Sequence, residues 1–179
     1  MKPKKKTAST GGRARPKSDS RRSSKRVKSI TAGPLLPKDF ADFLKLLNSN
    51  RVEYLLVGGY AVCYHGYYRS TGDIDLWIAV NSANAERAVI ALRQFGFDQP
   101  GLSSRLFLNE GRMIRMGVEP FRLEILTAIS GCEFKGCYSR RLTAEIDGIL
   151  VDIISLPDLK ANKKASGRHK DLADLENLP

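Results

Sequence analysis

Cysteine is scarce in this chain. Cys63, Cys132 and Cys137 form an odd set without Cys-x-x-Cys spacing, which argues against a disulfide framework or a zinc ribbon. Cys63, inside an apolar stretch, reads as a small buried hydrophobe. No uninterrupted apolar run approaches the length of a membrane span, and the basic N-terminus lacks the apolar core of a secretory signal. These absences predict a soluble, cytoplasmic protein with no membrane partner. Acid is missing from one region: residues 1–34 hold seven Lys and five Arg against the single acid Asp19. They carry the whole formal net charge of +11, because the remaining residues hold 18 basic and 18 acidic side chains. Large apolar residues are absent there until Val27 and Ile30, so the segment cannot bury enough surface to offset the entropy of ordering. We expect a disordered basic tail over 1–34, suited to a polyanion such as RNA, and one folded domain over 35–179.

Within that domain the periodicity predicts a helix from Pro37 to Asn48, with Phe40, Phe43, Leu44 and Leu47 on one face. A strand follows at Tyr54–Val57, then Gly58 and Gly59, a short helix from Tyr60 to His65, and a strand from Asp73 to Val80. Asn81 or Ser82 caps the next helix, which Gly96 ends. Beyond Pro100 the pattern changes to short strands, Leu106–Leu108, Met113–Met116 and Phe121–Leu126, expected as antiparallel neighbours. Asp147-Gly148 turns a hairpin between Thr143–Ile146 and Ile149–Ile154. A helix over Ser155–Lys164, capped by Ser155 with Asp158, and one over Lys170–Asn177 end the chain. The fold class is α/β (α+β): a small mixed or antiparallel sheet with flanking helices.

The chemistry is concentrated in Val57–Leu76, which reads VGGYAVCYHGYYRSTGDIDL. Alternation along a strand puts Asp73 and Asp75 on one face, about 7 Å apart. Two carboxylates that close suit a divalent cation, and glycines between a strand and a helix let backbone N–H groups approach an anion. Together they describe a site for a nucleoside triphosphate with its metal. Glu124 and Asp152 each stand as an acid in an apolar strand and compete as third ligand. Arg69 either contacts phosphate or sits in water, His65 reads as a helix-end cap, and His169 as a solvated helix start.

With Gly58-Gly59, Asp73-x-Asp75 and the acid Glu124 between Leu123 and Ile125, the chain resembles the polymerase beta-like nucleotidyltransferase superfamily, most of all its small single-domain bacterial members, toxin-type proteins of toxin-antitoxin systems among them. The run Arg168-His169-Lys170-Asp171 with Asp174 is similar to an Arg-x-Lys-Asp-x-x-Asp sequence of those members. The resemblance implies a minimal nucleotidyltransferase fold. It implies that Gly58, Gly59, Arg69, Lys163 and Arg168 serve the nucleotide and that Asp73, Asp75 and Glu124, in preference to Asp152, bind Mg²⁺ or Mn²⁺. The implied reaction moves NMP from an NTP to an RNA end, a protein or a small molecule, releasing pyrophosphate. The alternative is a catalytically silent fold acting as an antitoxin-like or RNA-binding partner.

Overall fold

The computed structural model describes residues 36–118 and 122–179, with 28–29 and 121 by backbone alone. The disorder expected for the tail therefore lies, apart from Lys28–Ser29, outside the described residues. Those two residues form β1. The chain continues through α1 (Lys38–Ser49), β2 (Tyr54–Val57), α2 (Gly58–Tyr64), β3 (Asp73–Ile78), α3 (Ser82–Gln94), β4 (Met113–Val118), β5 (Phe121–Leu126), α4 (Phe134–Ser139), β6 (Leu142–Ile146), β7 (Ile149–Ile153), α5 (Leu156–Ser166) and α6 (His169–Asn177). Six strands form a mixed sheet in the order β6-β7-β2-β3-β5-β4, and β1 adds two residues along the free side of β6. Helices flank it, so the architecture is the α/β class expected.

Local chemistry explains most of the boundaries. The four apolar residues of α1 named above are all buried. The Asn81 side chain accepts the Asn84 N–H at 2.9 Å and starts α3, while Ser155 caps α5. Asp147 and Gly148 both take positive φ, 49° and 76°, the geometry of a two-residue hairpin turn, and β6 pairs antiparallel with β7 across it. The central strands bury Leu55, Leu56, Ile74, Leu76, Ile125, Val151 and Ile153 completely, each contributing about 1.5–3 kcal/mol of transfer free energy.

Three expectations change. Leu106–Leu108 is not a strand: Ser104–Phe107 forms a single 3-10 turn. Phe107 alone enters the core, whereas Leu106 and Leu108 stay 40% exposed, and the turn packs beside α3. Helix α2 begins at the glycines and not at Tyr60. The strands after Pro100 are not all antiparallel neighbours, because β5 lies between β4, antiparallel, and β3, parallel. That parallel pairing carries Glu124 to the Asp pair. Among the described residues no helix is long and apolar enough to cross a membrane.

Candidate active site

Strand register assembles the acids. Asp75 of β3 lies directly opposite Glu124 of β5, and Asp73 opposite Arg122. On the far side of β5, Arg115 of β4 lies opposite Glu124. Paired residues in a sheet project to the same face, so these five side chains share one surface. Arg122 grips Asp73 with both ends of its guanidinium, Nε to Oδ1 at 2.8 Å and Nη2 to Oδ2 at 3.1 Å. That hydrogen bonding holds Asp73 below the usual carboxylate range. Arg115 Nε donates to Glu124 Oε1 at 2.7 Å. Among the described residues no cation hydrogen-bonds to Asp75, although the charge of Arg168 acts on it. Burial first, and then the neighbouring Glu124 carboxylate, raise its carboxyl from 3.8 to about 7, against a hydrogen bond from the Gly59 N–H.

The glycines stand where they do because Asp75 leaves no room at Gly58 and Thr71 none at Gly59. Gly58, at φ +60°, turns the chain from β2 into α2, and a Cβ there would lie 1.9 Å from Asp75 Oδ2. A Cβ on Gly59 would meet Thr71 Oγ1 at 2.3 Å. Gly58→Ala is therefore expected to displace Asp75 and to cost about 1–3 kcal/mol in urea unfolding. Gly101→Ala is the control: its φ is +99°, but nothing lies within 4 Å of the added methyl. Equal losses in the two variants would show backbone strain alone and remove the steric argument.

Facing the acids, α5 and α6 build a basic wall around two buried carboxylates. Lys163 Nζ, itself buried, reaches Asp171 at 2.6 Å and Asp174 at 2.8 Å. Arg69 binds Asp174 through Nε at 2.6 Å and Nη2 at 2.9 Å, and Arg168 Nε binds Asp171 at 2.6 Å. Burial opposes ionisation of Asp171, but hydrogen bonds from Arg168, Lys163 and Ser166 outweigh it and bring its carboxyl down to about 2. Three cations against two anions leave one positive charge on this wall. Arg69 thus neither floats in water nor stands free for phosphate; it ties the loop before β3 to α6. Lys163 is likewise clamped, while Arg168 is 73% exposed and presents its outer guanidinium edge.

Gly58, Gly59, Arg69, Asp73, Asp75, Glu124, Lys163 and Arg168 all line one cleft of about 730 Å³. Asp152 does not. Its carboxylate accepts from Arg141 at 2.7 Å and Thr143 at 2.6 Å, in β7 on the other side of β2. His65 ends α2, as expected, but its ring caps no α2 carbonyl: Nε2 meets the Ile154 carbonyl at 2.8 Å and ties the helix end to the residue after β7. His169, exposed, opens α6. Sequence reasoning missed Arg115, Arg122, Thr71 and Lys170, all in or against the cleft. Two of them had a local signal: Arg122, two residues before Glu124 on the same strand face, and Lys170, within the Arg168–Asp174 motif.

Two solved structures are similar to this chain. A "putative nucleotidyltransferase" of Thermotoga maritima matches with a TM-score of 0.50 at 14% identity, over 76% of this chain and 88% of its own. The chain has a nucleotidyltransferase-like fold. An antigenic nucleotidyltransferase-like protein of Paracoccidioides brasiliensis matches at TM-score 0.48 and 18% identity, over 78% of this chain and 74% of its own. No protein-family model and no curated protein matches the sequence.

The donor chemistry of this cleft fits a hard divalent cation at one point. Asp75 and Glu124 are close enough to share a proton, and two carboxylates so placed are eased either by that proton or by a cation between them. Asp73 is turned to Arg122, and among the described residues no three His, Cys, Asp or Glu donors are gathered as a ready-made ligand set. Ligation by all three carboxylates requires Asp73 and Glu124 to exchange their arginines for metal.

Proposed function

We propose that this chain transfers a nucleoside monophosphate from an NTP to an acceptor hydroxyl and releases pyrophosphate. One observation carries the reading: Asp75 and Glu124, opposed across parallel strands, face a positively charged helix wall over the Gly58-Gly59 turn within a single cleft. Asp73, Asp75 and Glu124 would hold Mg²⁺ or Mn²⁺, which when bound supplies charge neutralisation at the α-phosphate and lowers the pKa of the acceptor hydroxyl. The protein's own part is positioning. Arg168 and Lys170 draw the β- and γ-phosphates to the α5–α6 rim, where guanidinium forks and ammonium charge suit phosphate. Lys163 and Arg69, clamped by Asp171 and Asp174, set the potential and the shape of that rim. Gly58 and Gly59 let the β2–α2 turn pack directly against Asp75 and Thr71 and so hold Asp75 in place. The bond formed joins the acceptor oxygen to the α-phosphorus; the bonds broken are the α–β bridge, whose electrons leave on pyrophosphate, and the acceptor O–H, whose proton passes to solvent water.

Incubation with each α-labelled NTP, Mg²⁺ or Mn²⁺ and a panel of acceptors tests the reaction. Glu124→Gln should keep NTP affinity within about threefold and lose most turnover, while Asp152→Asn, outside the cleft, should leave turnover unchanged. The opposite pattern would move the third acid to β7 and sink the assignment.

A second reading, a catalytically silent fold, has one observation in its favour: Asp73 and Glu124 are already neutralised by Arg122 and Arg115. Clustered acids are therefore no argument by themselves for metal. Stabilisation by Mn²⁺ plus NTP in a thermal melt, lost in Asp75→Asn, decides between the two readings.

A further inference from the structure

The acids of the cleft and the arginines beside them form two rows across β3, β5 and β4. In one row Asp75, Glu124 and Arg115 are register partners, and in the next Asp73, Arg122 and Gly117. Each row thus sets one arginine against its carboxylates, but the two contacts are unequal. Arg122 meets both oxygens of Asp73, through Nε and Nη2, from a side chain that is 26% exposed. Arg115 gives Glu124 a single bond, Nε to Oε1, from a side chain that is 51% exposed, and its Nη2 leans on the Met113 sulfur at 3.7 Å.

A guanidinium and a divalent cation compete for a carboxylate, because both need its oxygen lone pairs. Arg122 covers both oxygens of Asp73, so a cation reaches that carboxylate only as the fork lets go. Glu124 gives only Oε1 to Arg115 and has less to release. Charge acts in the same sense as geometry. Three carboxylates against two guanidiniums leave one negative charge to attract a cation, where the carboxylates alone would offer three. A guanidinium that has let go still stays within a side chain's length and opposes a second cation in the same place. Arginine cannot shed its proton, so the competition persists at every pH at which the acids are ionised.

We infer that Arg122 and Arg115 regulate the proposed metal site by competing with the divalent cation for Asp73 and Glu124, Arg122 as the stronger competitor and Arg115 as the weaker. Loading is then an exchange of guanidinium for metal, and the two arginines set the cation concentration at which the cleft fills. The inference rests on the metal-dependent transferase reading above. An arginine that only oriented its carboxylate for the metal would act in the opposite sense, since its loss would weaken metal binding. The sign of the change separates the two roles.

The probe is Mn²⁺ alone, titrated into the full chain without nucleotide. The electron paramagnetic resonance signal of the free ion gives the bound fraction, and Asp75→Asn defines the part that belongs to the cleft. Arg122→Gln is expected to tighten this Asp75-dependent binding by about tenfold or more, because a forked, charge-assisted contact no longer has to be broken. Arg115→Gln should tighten it by about threefold, since the pair it removes is single and half-exposed. Arg122→Lys keeps the charge and loses the fork, so it should fall between the wild type and Arg122→Gln. Circular dichroism checks the fold of each variant; should Arg122→Gln fail to fold, Arg122→Lys and Arg115→Gln carry the same sign. Mn²⁺ binding that is unchanged or weaker in the arginine variants overturns the exchange and leaves the metal site of the proposed reaction standing. No Asp75-dependent binding in the wild type or any variant overturns both. Binding detected in the arginine variants and not in the wild type supports the exchange.

Discussion

Asp75→Asn is expected to reduce nucleotide transfer by on the order of a thousandfold or more, since in the proposed reaction it removes a carboxylate that would hold the metal. It should also change how stability depends on pH in metal-free protein. The Asp75 carboxyl rises from 3.8 to about 7 on folding, so between those values the native state binds more protons than the unfolded chain. Stability then falls as pH rises from about 4 to 7 and stays low above it. The variant, with nothing to ionise at that position, should lack this fall and melt higher than the wild type at pH 8. Asp171 acts in the opposite sense and in another window: its stabilisation is present above 3.8 and is lost as pH falls towards 2. Thermal melts from pH 3 to pH 8, with and without Mn²⁺, separate the two contributions. A wild type whose stability is flat between pH 4 and 7 would falsify the proposed crowding of Asp75 against Glu124.

Asp174→Asn should have the largest effect on the fold. The Asp174 side chain is 1% exposed and holds Lys163 at 2.8 Å and Arg69 at 2.6 Å. Its loss leaves Arg69 unpaired and Lys163, 4% exposed, with Asp171 alone. Removing one partner from a buried ion network costs about 3–5 kcal/mol, because the stranded charge keeps its desolvation penalty. For a domain of this size that is a fall in Tm of roughly 10 °C. Asp42→Asn, which loses exposed pairs with Lys38 and Lys45, should be indistinguishable from wild type. If the two variants melt alike, the α5–α6 network is solvated and does not hold the cleft wall. If Asp174→Asn unfolds the protein as expected, NTP affinity at a temperature where it is still folded shows how far Arg69 and Lys163 depend on it for position.

The sequence by itself determined the local features and, through them, most of the site. Alternation along β3 put Asp73 and Asp75 on one face; helical spacing set α1; Asn81, Ser155 and the Asp147-Gly148 turn marked where elements begin and reverse. Each of these depends on residues a few positions apart, whose geometry the backbone dictates. Tertiary structure decided the choice between Glu124 and Asp152 for the cleft, since both sit in apolar strands of the same pattern and differ only in which strand pairs with β3. It also decided that Arg122 and Arg115 neutralise two of the three acids, and that Arg69 and Lys163 are clamped by Asp174 and not free. These contacts join residues up to 105 positions apart. Parallel pairing and helix docking fix them by burying apolar surface, and no local spacing encodes that register.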